Sequence, residues 1–390
     1  MKIGFFGGTF DPPHLGHIGA AYTAAKALDL DLLLLIPTAS PPHKKLPEDT
    51  AGSYHRFEMA KLAAGELEGI KAEASDIELI RGGSSYTADT AEELSRLYPG
   101  SELWLICGED MLLSLPQWYK ARWLAENLNI AAFSRSEDDT ELIEFIRSNT
   151  GFFKKQVELI KKEPVIISST ELRSMLKQAR GAKWLSKSVY AYILSNRLYG
   201  VKPEPDALWE LVQPWIKKKR LDHVQGCRSE AVNLALQWGA DVTDAENAAI
   251  LHDITKKYDR AGQLLLCEKY DITVSNSDLE HENILHAITG AEVAYKLFGI
   301  SQEVRDAIRW HSTGRADMSL LEKIIYLADL IEPGRDFDGV EELRRKAYTD
   351  LDEALIMGLE QCLDYINKKG IVPQGNTAEA LNYLRQTKDR

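Results

Sequence analysis

The chain has 390 residues, 44% hydrophobic and 27% charged, a globular composition too long for one ordinary core and so expected to form at least two domains. Its net charge of −12 is unevenly spread: residues 1–200 carry 23 Lys and Arg against 26 Asp and Glu, so most of the excess lies in residues 201–390, a poor partner for a nucleic acid. The four cysteines are scattered with no Cys-x-x-Cys pair, which suits a reducing cytoplasm and excludes a disulfide framework, and the most apolar stretch, 30–37, is too short to span a membrane.

In chain order, Lys2–Phe6, Leu32–Pro37, Glu102–Ile106, Ile130–Phe133 and Val165–Ile167 read as buried strands. Ile18–Leu28, Tyr54–Leu67 and Thr87–Leu97 between them have helical spacing, and this alternation predicts a parallel, doubly wound, Rossmann-like α/β sheet closed by a helix over Lys183–Leu198. Two prolines and a glycine in 200–206 mark a linker over 201–206, which divides a domain of residues 1–200 from one of 207–390. Beyond it Ser229–Trp238, Asp244–His252, Ile284–Phe298, Gln302–Trp310, Leu320–Ile331 and Leu351–Lys369 are all helical in period, so the second domain is expected to be all-α.

The first chemical signature follows the first strand: Gly7-Gly8-Thr9-Phe10-Asp11-Pro12-Pro13-His14-Leu15-Gly16-His17. A glycine pair lets backbone N–H groups approach a phosphate chain, and the next helix adds its positive end. His14 and His17, three apart, share one face of that helix start and aim two imidazoles at one anion.

This string resembles the signature of the nucleotidyltransferase superfamily, and further motifs make residues 1–200 similar to bacterial nicotinate-nucleotide adenylyltransferases. They are Pro41-Pro42-His43-Lys44, Ser85-Tyr86-Thr87, Gly108-Glu109-Asp110, Leu115-Pro116-Gln117-Trp118, Arg135 after the fourth strand, and Ile167-Ser168-Ser169-Thr170-Glu171-Leu172-Arg173. The resemblance implies that ATP with Mg²⁺ lies along Gly7, Gly8, Thr9, Phe10 and Asp11, its phosphates on Thr9, His14, His17, Ser169, Thr170 and Arg173 and a further phosphate ligand in Lys44. It adds Thr87, Gly108, Asp110 and Arg135 to the substrate and ATP contacts, and stacks the pyridine of nicotinate mononucleotide near Trp118. Ser40 departs from the asparagine common in the family. Other adenylyltransferases, such as those for pantetheine phosphate, share the histidine and serine segments but lack the Pro-Pro-His-Lys and Leu-Pro-x-Trp context.

The second signature is a histidine and aspartate series: His223, the doublet His252-Asp253, and Asp329. It resembles the ligand set of HD phosphohydrolases. His286 and His311, between the doublet and Asp329, imply a second metal bridged by Asp253, and imidazole with carboxylate suits Fe, with Mn, Co or Zn as alternatives. With Glu332-Pro333-Gly334-Arg335 following, residues 206–390 resemble bacterial hydrolases that cleave diadenosine tetraphosphate symmetrically to two ADP. Arg315 and Arg335 are candidate phosphate clamps because a guanidinium matches phosphate oxygens in pairs. Cys227, at i+4 from His223, is read as packing.

The expected protein is a bifunctional cytoplasmic enzyme with no nucleic-acid or membrane partner. The sequence leaves open nicotinate versus nicotinamide mononucleotide, the native metal and a homo-oligomeric state. For the second domain, deoxynucleoside triphosphates, guanosine alarmones, cyclic dinucleotides and a non-catalytic sensor role also stay open.

Overall fold

The computed structural model describes residues 1–42, 45–134, 139–161, 167–370 and 375–388. They divide into two compact units, residues 1–177 with 181–193, and residues 178–180 with 194–390.

In the first unit, β1 (Lys2–Gly8), β2 (Leu32–Pro37), β3 (Ala72–Ala74), β4 (Glu102–Gly108), β5 (Asn129–Ser134) and β6 (Val157–Lys161) form a six-stranded sheet in the order β3-β2-β1-β4-β5-β6. Every pairing is parallel, with Phe5 opposite both Leu34 and Leu105. Every residue of β2 and of β5 is buried, as a parallel sheet covered on both faces requires. The chain winds from β1 out to β3 and then returns to β4 on the other flank of β1. A crevice therefore opens beyond the carboxyl ends of β1 and β4, where Gly7, Gly8 and Gly108 lie.

Two strands differ from the expectation. β3 has the sequence Ala-Glu-Ala and carries no apolar run. β6 runs over Val157–Lys161 rather than 165–167; its alternating burial is that of an edge strand, Ile167 is in no strand, and residues 165 and 166 lie outside the described ones.

The second unit is helical among the described residues, and polar caps fix where several helices begin. Asp241 accepts the Asp244 N–H at 2.9 Å and starts the Val242–Leu251 helix, whose end delivers His252 and Asp253. Ser301 accepts the Val304 N–H at 3.2 Å and starts Gln302–Trp310, whose end delivers His311. Leu234, Ala248, Ala291, Ile308 and Leu327 are fully buried where these helices pack on Leu221–Trp238, Glu282–Leu297 and Leu320–Ile331. Residues 201–206, expected as a linker, lie against this unit: Asn247 Nδ2 donates to the Pro203 carbonyl at 3.0 Å, and Lys202 Nζ reaches Asp241 at 2.8 Å and Asp244 at 3.2 Å. No helix among the described residues is long and apolar enough to cross a membrane.

Candidate active sites

In the first unit, His14 is the N-cap of the Leu15–Leu28 helix. Its backbone N–H donates to His17 Nδ1 at 3.3 Å, and the two ring centroids are 3.8 Å apart with the planes tilted by 38°. Because Nδ1 of His17 accepts, the ring proton sits on Nε2, and the ring lines the cleft at the helix start, where the helix dipole favours an anion. Arg173, 3% exposed, donates from Nη1 to the Asp11 carbonyl at 2.9 Å and from Nε to Asp49 at 3.1 Å, with Asp11 Oδ2 3.3 Å from Nη1. The Arg173 hydrogen bond holds the Asp49 carboxyl below its ordinary range, against the opposing effect of burial. Ser169 Oγ donates to the Pro12 carbonyl at 3.2 Å, and Ser168 caps the Ser169–Leu176 helix through Glu171. A cleft of about 680 Å³ is lined by Gly7, Gly8, Thr9, Phe10, Asp11, His14, His17, Gly108, Asp110, Ser169, Thr170 and Arg173, so most of the predicted nucleotide contacts converge there. Lys44 and Arg135 lie outside the described residues.

A second cavity of about 170 Å³ adjoins the end of β1, lined by Gly7, Thr38, Thr87, Trp118, Tyr119 and Glu78 among others. Trp118 is half-buried and donates from Nε1 to Ser114 Oγ at 3.1 Å, which fixes its ring. Ser85 Oγ accepts the Ala39 N–H at 3.0 Å and Ser40 O accepts the Ser85 N–H at 2.8 Å, so Ser40 contributes through its backbone. Burial raises the Glu78 carboxyl above its ordinary range against hydrogen bonds from Thr90 and Ser85.

Arg56 was missed in the sequence because no motif carries it. It is 2% exposed and donates to the carbonyls of Thr38 at 2.6 Å, Thr9 at 3.0 Å and Ala51 at 3.2 Å, tying the loops after β1 and β2 together. Arg56→Leu should strand these carbonyls and destabilise the first unit by about 3 kcal/mol, read as a shift in its urea transition.

In the second unit five helices bring the predicted ligands together. His223 lies in the first turn of Leu221–Trp238, His286 in Glu282–Leu297 and Asp329 in Leu320–Ile331, while His252 and His311 end their helices. His252 Nδ1 is 2.7 Å from the Ala249 carbonyl, His311 Nδ1 2.7 Å from the Ile308 carbonyl, and His223 Nδ1 3.1 Å from Glu332 Oε1. Each Nδ1–H is thus spent on an acceptor, which leaves the Nε2 lone pair facing inward, as in metal-ligating histidines.

The Nε2 atoms form two pairs, His223 with His252 at 3.4 Å and His286 with His311 at 3.3 Å. Asp253, 2% exposed, stands between them. Its Oδ2 is 3.3 Å from His252 Nε2 and 3.7 Å from His223 Nε2; its Oδ1 is 3.4 Å from His286 Nε2 and 3.8 Å from His311 Nε2. Oδ1 accepts no hydrogen bond among the described residues, although the Lys256 ammonium is 3.2 Å away. Asp329 Oδ1 is 3.1 Å from His223 Nε2.

Burial, then Lys256 and His311, holds His286 well below the usual histidine range, and burial followed by the His252 charge takes His311 down to about 4. Burial would raise the Asp253 carboxyl, but His252 beside it keeps it well below the usual range. Burial would lower His252, but the Asp253 charge beside it raises it. Four imidazoles, two of them held below the usual histidine range, around a buried carboxylate form a donor set that fits a divalent transition ion.

Sequence motifs assign no role to two neighbours of this cluster, Arg220 and Lys256, and name Glu332 only within its motif. Arg220 pairs with Asp253 Oδ2, Lys256 with Oδ1, and Glu332 with His223; Arg220 and Lys256 are each three residues from a motif residue, a spacing that could have found them. Cys227, read as packing, has its sulfur 3.6 Å from His223 Nε2. Arg335 Nη2 donates to Asp329 Oδ1 at 2.6 Å, so the structure brings it into the cluster. Arg315 instead forks onto the buried Glu322 at 2.8 and 3.2 Å.

Glu332 reaches His223 past Gly226, where a Cβ would lie 2.6 Å from Glu332 Oε2. Gly226→Ala should push Glu332 off His223 and weaken metal binding roughly 10–100-fold, measured by competition with a chromophoric chelator.

The folds and sites define two families on one chain: residues 5–175 match the cytidylyltransferase-like family and residues 220–334 the HD domain family. The chain is 36% identical over 203 residues to a protein of Carboxydothermus hydrogenoformans described as a probable nicotinate-nucleotide adenylyltransferase, covering 51% of this chain and 98% of that one. It is 41% identical over 179 residues to a symmetrical bis(5'-nucleosyl)-tetraphosphatase of Halalkalibacterium halodurans, covering 45% of this chain and 94% of that one. Among solved structures it is similar to a predicted HD superfamily hydrolase involved in NAD metabolism from Clostridium acetobutylicum, at 38% identity and a TM-score of 0.45, covering 47% of this chain and 97% of that one. The chain belongs, through its N-terminal half, to the nicotinate-nucleotide adenylyltransferase family of cytidylyltransferase-like proteins and, through its C-terminal half, to the HD family.

Proposed function

We propose that the first unit transfers the adenylyl group of ATP to nicotinate mononucleotide, giving deamido-NAD and pyrophosphate. What supports this is a cleft of about 680 Å³ lined by His14, His17, Ser169, Thr170 and Arg173 beside a smaller aromatic-walled cavity, a phosphate site next to a ring site. A phosphate oxygen of the mononucleotide attacks the α-phosphorus of ATP, a new P–O bond forms, the α–β anhydride breaks, and pyrophosphate leaves. No side chain needs to become a nucleophile. His17 Nε2–H, His14, Ser169, Thr170 and Arg173 orient the triphosphate and offset its growing charge; Mg²⁺ carried by ATP adds to that. Lys44 and Arg135 retain the phosphate and substrate roles their motifs imply, and Trp118 takes the pyridine.

The second unit we assign as a metal-dependent hydrolase that cuts diadenosine tetraphosphate symmetrically into two ADP. The two oxygens of Asp253, each facing its own histidine pair, support a dinuclear centre. His223, His252, Asp329 and one Asp253 oxygen would hold one ion, and His286, His311 and the other oxygen a second. We take the ions to be iron, with Mn, Co or Zn able to substitute. When bound, such a pair supplies a hydroxide nucleophile and neutralises the polyphosphate that an acidic domain would repel. Arg220, Lys256 and Arg335 carry the remaining charge beside the substrate; Arg315 could join them only by leaving Glu322.

The test is the purified full chain, assayed with ATP, Mg²⁺ and either nicotinate or nicotinamide mononucleotide, and separately with diadenosine tetraphosphate before and after chelation. Deamido-NAD formation and chelator-sensitive release of ADP alone are expected. ATP with AMP as products, or binding without turnover, would remove the symmetrical hydrolase reading.

A further inference from the structure

The HD cluster contains a ligand atom that the histidine and aspartate series does not include. Cys227 lies one helical turn after His223 on the Leu221–Trp238 helix and is 1% exposed. A thiol kept only for packing would point among aliphatic side chains. Its sulfur instead lies 3.6 Å from His223 Nε2 and 3.9 Å from Asp329 Oδ1, and the ligand atoms of His223, Cys227, His252 and Asp329 all fall within 4.8 Å of one another.

An ion bound at 2.0–2.3 Å by four donors in a tetrahedron separates those donors by about 3.3–3.8 Å. Three further edges here are 3.1 Å from His223 Nε2 to Asp329 Oδ1, 3.4 Å from His223 Nε2 to His252 Nε2, and 4.0 Å from His252 Nε2 to Asp329 Oδ1, and the sixth, from Cys227 Sγ to His252, is within 4.8 Å. Five of the six edges thus lie between 3.1 and 4.0 Å, near the spacing of a tetrahedral site, and the buried Asp253 turns Oδ2 to the same atoms, 3.3 Å from His252 Nε2 and 3.7 Å from His223 Nε2, so that three imidazole or carboxylate groups and a further carboxylate oxygen surround the sulfur's side of the cluster.

We propose that Cys227 is a thiolate ligand of the metal held by His223, His252 and Asp329, so that the two positions of the centre are chemically unlike. The inference rests on the metal-centre reading above. As the metal–sulfur bond forms, the thiol proton leaves to solvent; no electron moves and no oxidant is required. The first position then has nitrogen, oxygen and sulfur donors, and the second, on His286, His311 and Asp253, nitrogen and oxygen only. Thiolate favours softer ions, so zinc or cobalt should settle in the first position in preference to the second.

The experiment uses the full chain freed of metal and reloaded with Zn²⁺ or Co²⁺, alongside Cys227→Val and Cys227→Ser, each checked for native circular dichroism. X-ray absorption of the zinc form should show a sulfur neighbour at about 2.3 Å in addition to nitrogen and oxygen at about 2.0–2.1 Å. The cobalt form should show a near-ultraviolet thiolate-to-cobalt charge-transfer band. Both signals should vanish in either variant, and zinc affinity should fall at least tenfold. A wild-type centre that binds metal through nitrogen and oxygen alone, with variants of equal affinity, would overturn the thiolate assignment and leave the metal centre standing. Sulfur that persists in both variants would also overturn it. A wild-type second unit that takes up no metal would instead overturn the metal centre itself.

Discussion

Asp253→Ala is expected to abolish diadenosine tetraphosphate hydrolysis, lowering kcat by roughly 10³-fold or more, because it removes the one carboxylate whose two oxygens face both histidine pairs. Elemental analysis should find less bound metal, and the rise in melting temperature that metal gives the wild-type second unit should be lost. The metal-free variant should be less stable than the metal-free wild type, because Arg220, His252 and Lys256 lose the buried carboxylate they pair with, so circular dichroism must first show that it is folded at the assay temperature. Adenylyl transfer, which uses none of these residues, should continue at the wild-type rate. Full metal content together with full hydrolysis in Asp253→Ala would remove the dinuclear assignment.

His17→Ala should lower the kcat of adenylyl transfer by roughly 10²–10³-fold, the scale for losing one preorganised donor to developing phosphate charge. The side chain has two jobs: Nδ1 accepts the His14 N–H at 3.3 Å, and the ring, which lines the cleft, is assigned to the nucleotide phosphates. Loss of the first costs about 1 kcal/mol of helix capping and no chemistry. His17→Asn separates them, since its amide oxygen can still accept from His14 while the ring donor is gone; it should recover the melting temperature and not the rate. An Asn variant with near wild-type kcat would assign His17 to the fold alone. Hydrolysis by the second unit should be unchanged in both.

Much of this protein was legible along the chain because the information is local. A parallel strand buried on both faces must be apolar throughout, so Leu32–Pro37 was readable to the residue, and Thr87–Leu97, Gln302–Trp310 and Leu320–Ile331 follow from helical period in the same way. A glycine pair before two histidines also has few uses other than an anion site. β3 and β6 were not legible: each is short or lies at an edge, with partners far away in sequence, and pairing rather than pattern makes them strands.

The sequence by itself determined the two families and the motif residues that carry them, since motif and residue chemistry travel with the chain. Only the tertiary structure decided how they are shared. It placed the two oxygens of Asp253 between separate histidine pairs, committed Arg315 to Glu322 while bringing Arg220, Lys256 and Arg335 to the ligands, and turned Cys227 toward His223. The physical reason is that a site assembled from the ends of five helices depends on where each helix stops and how it packs. Those are set by caps such as Asp241 and Ser301 and by close approaches such as Gly226 against Glu332, which act across the fold rather than along the sequence.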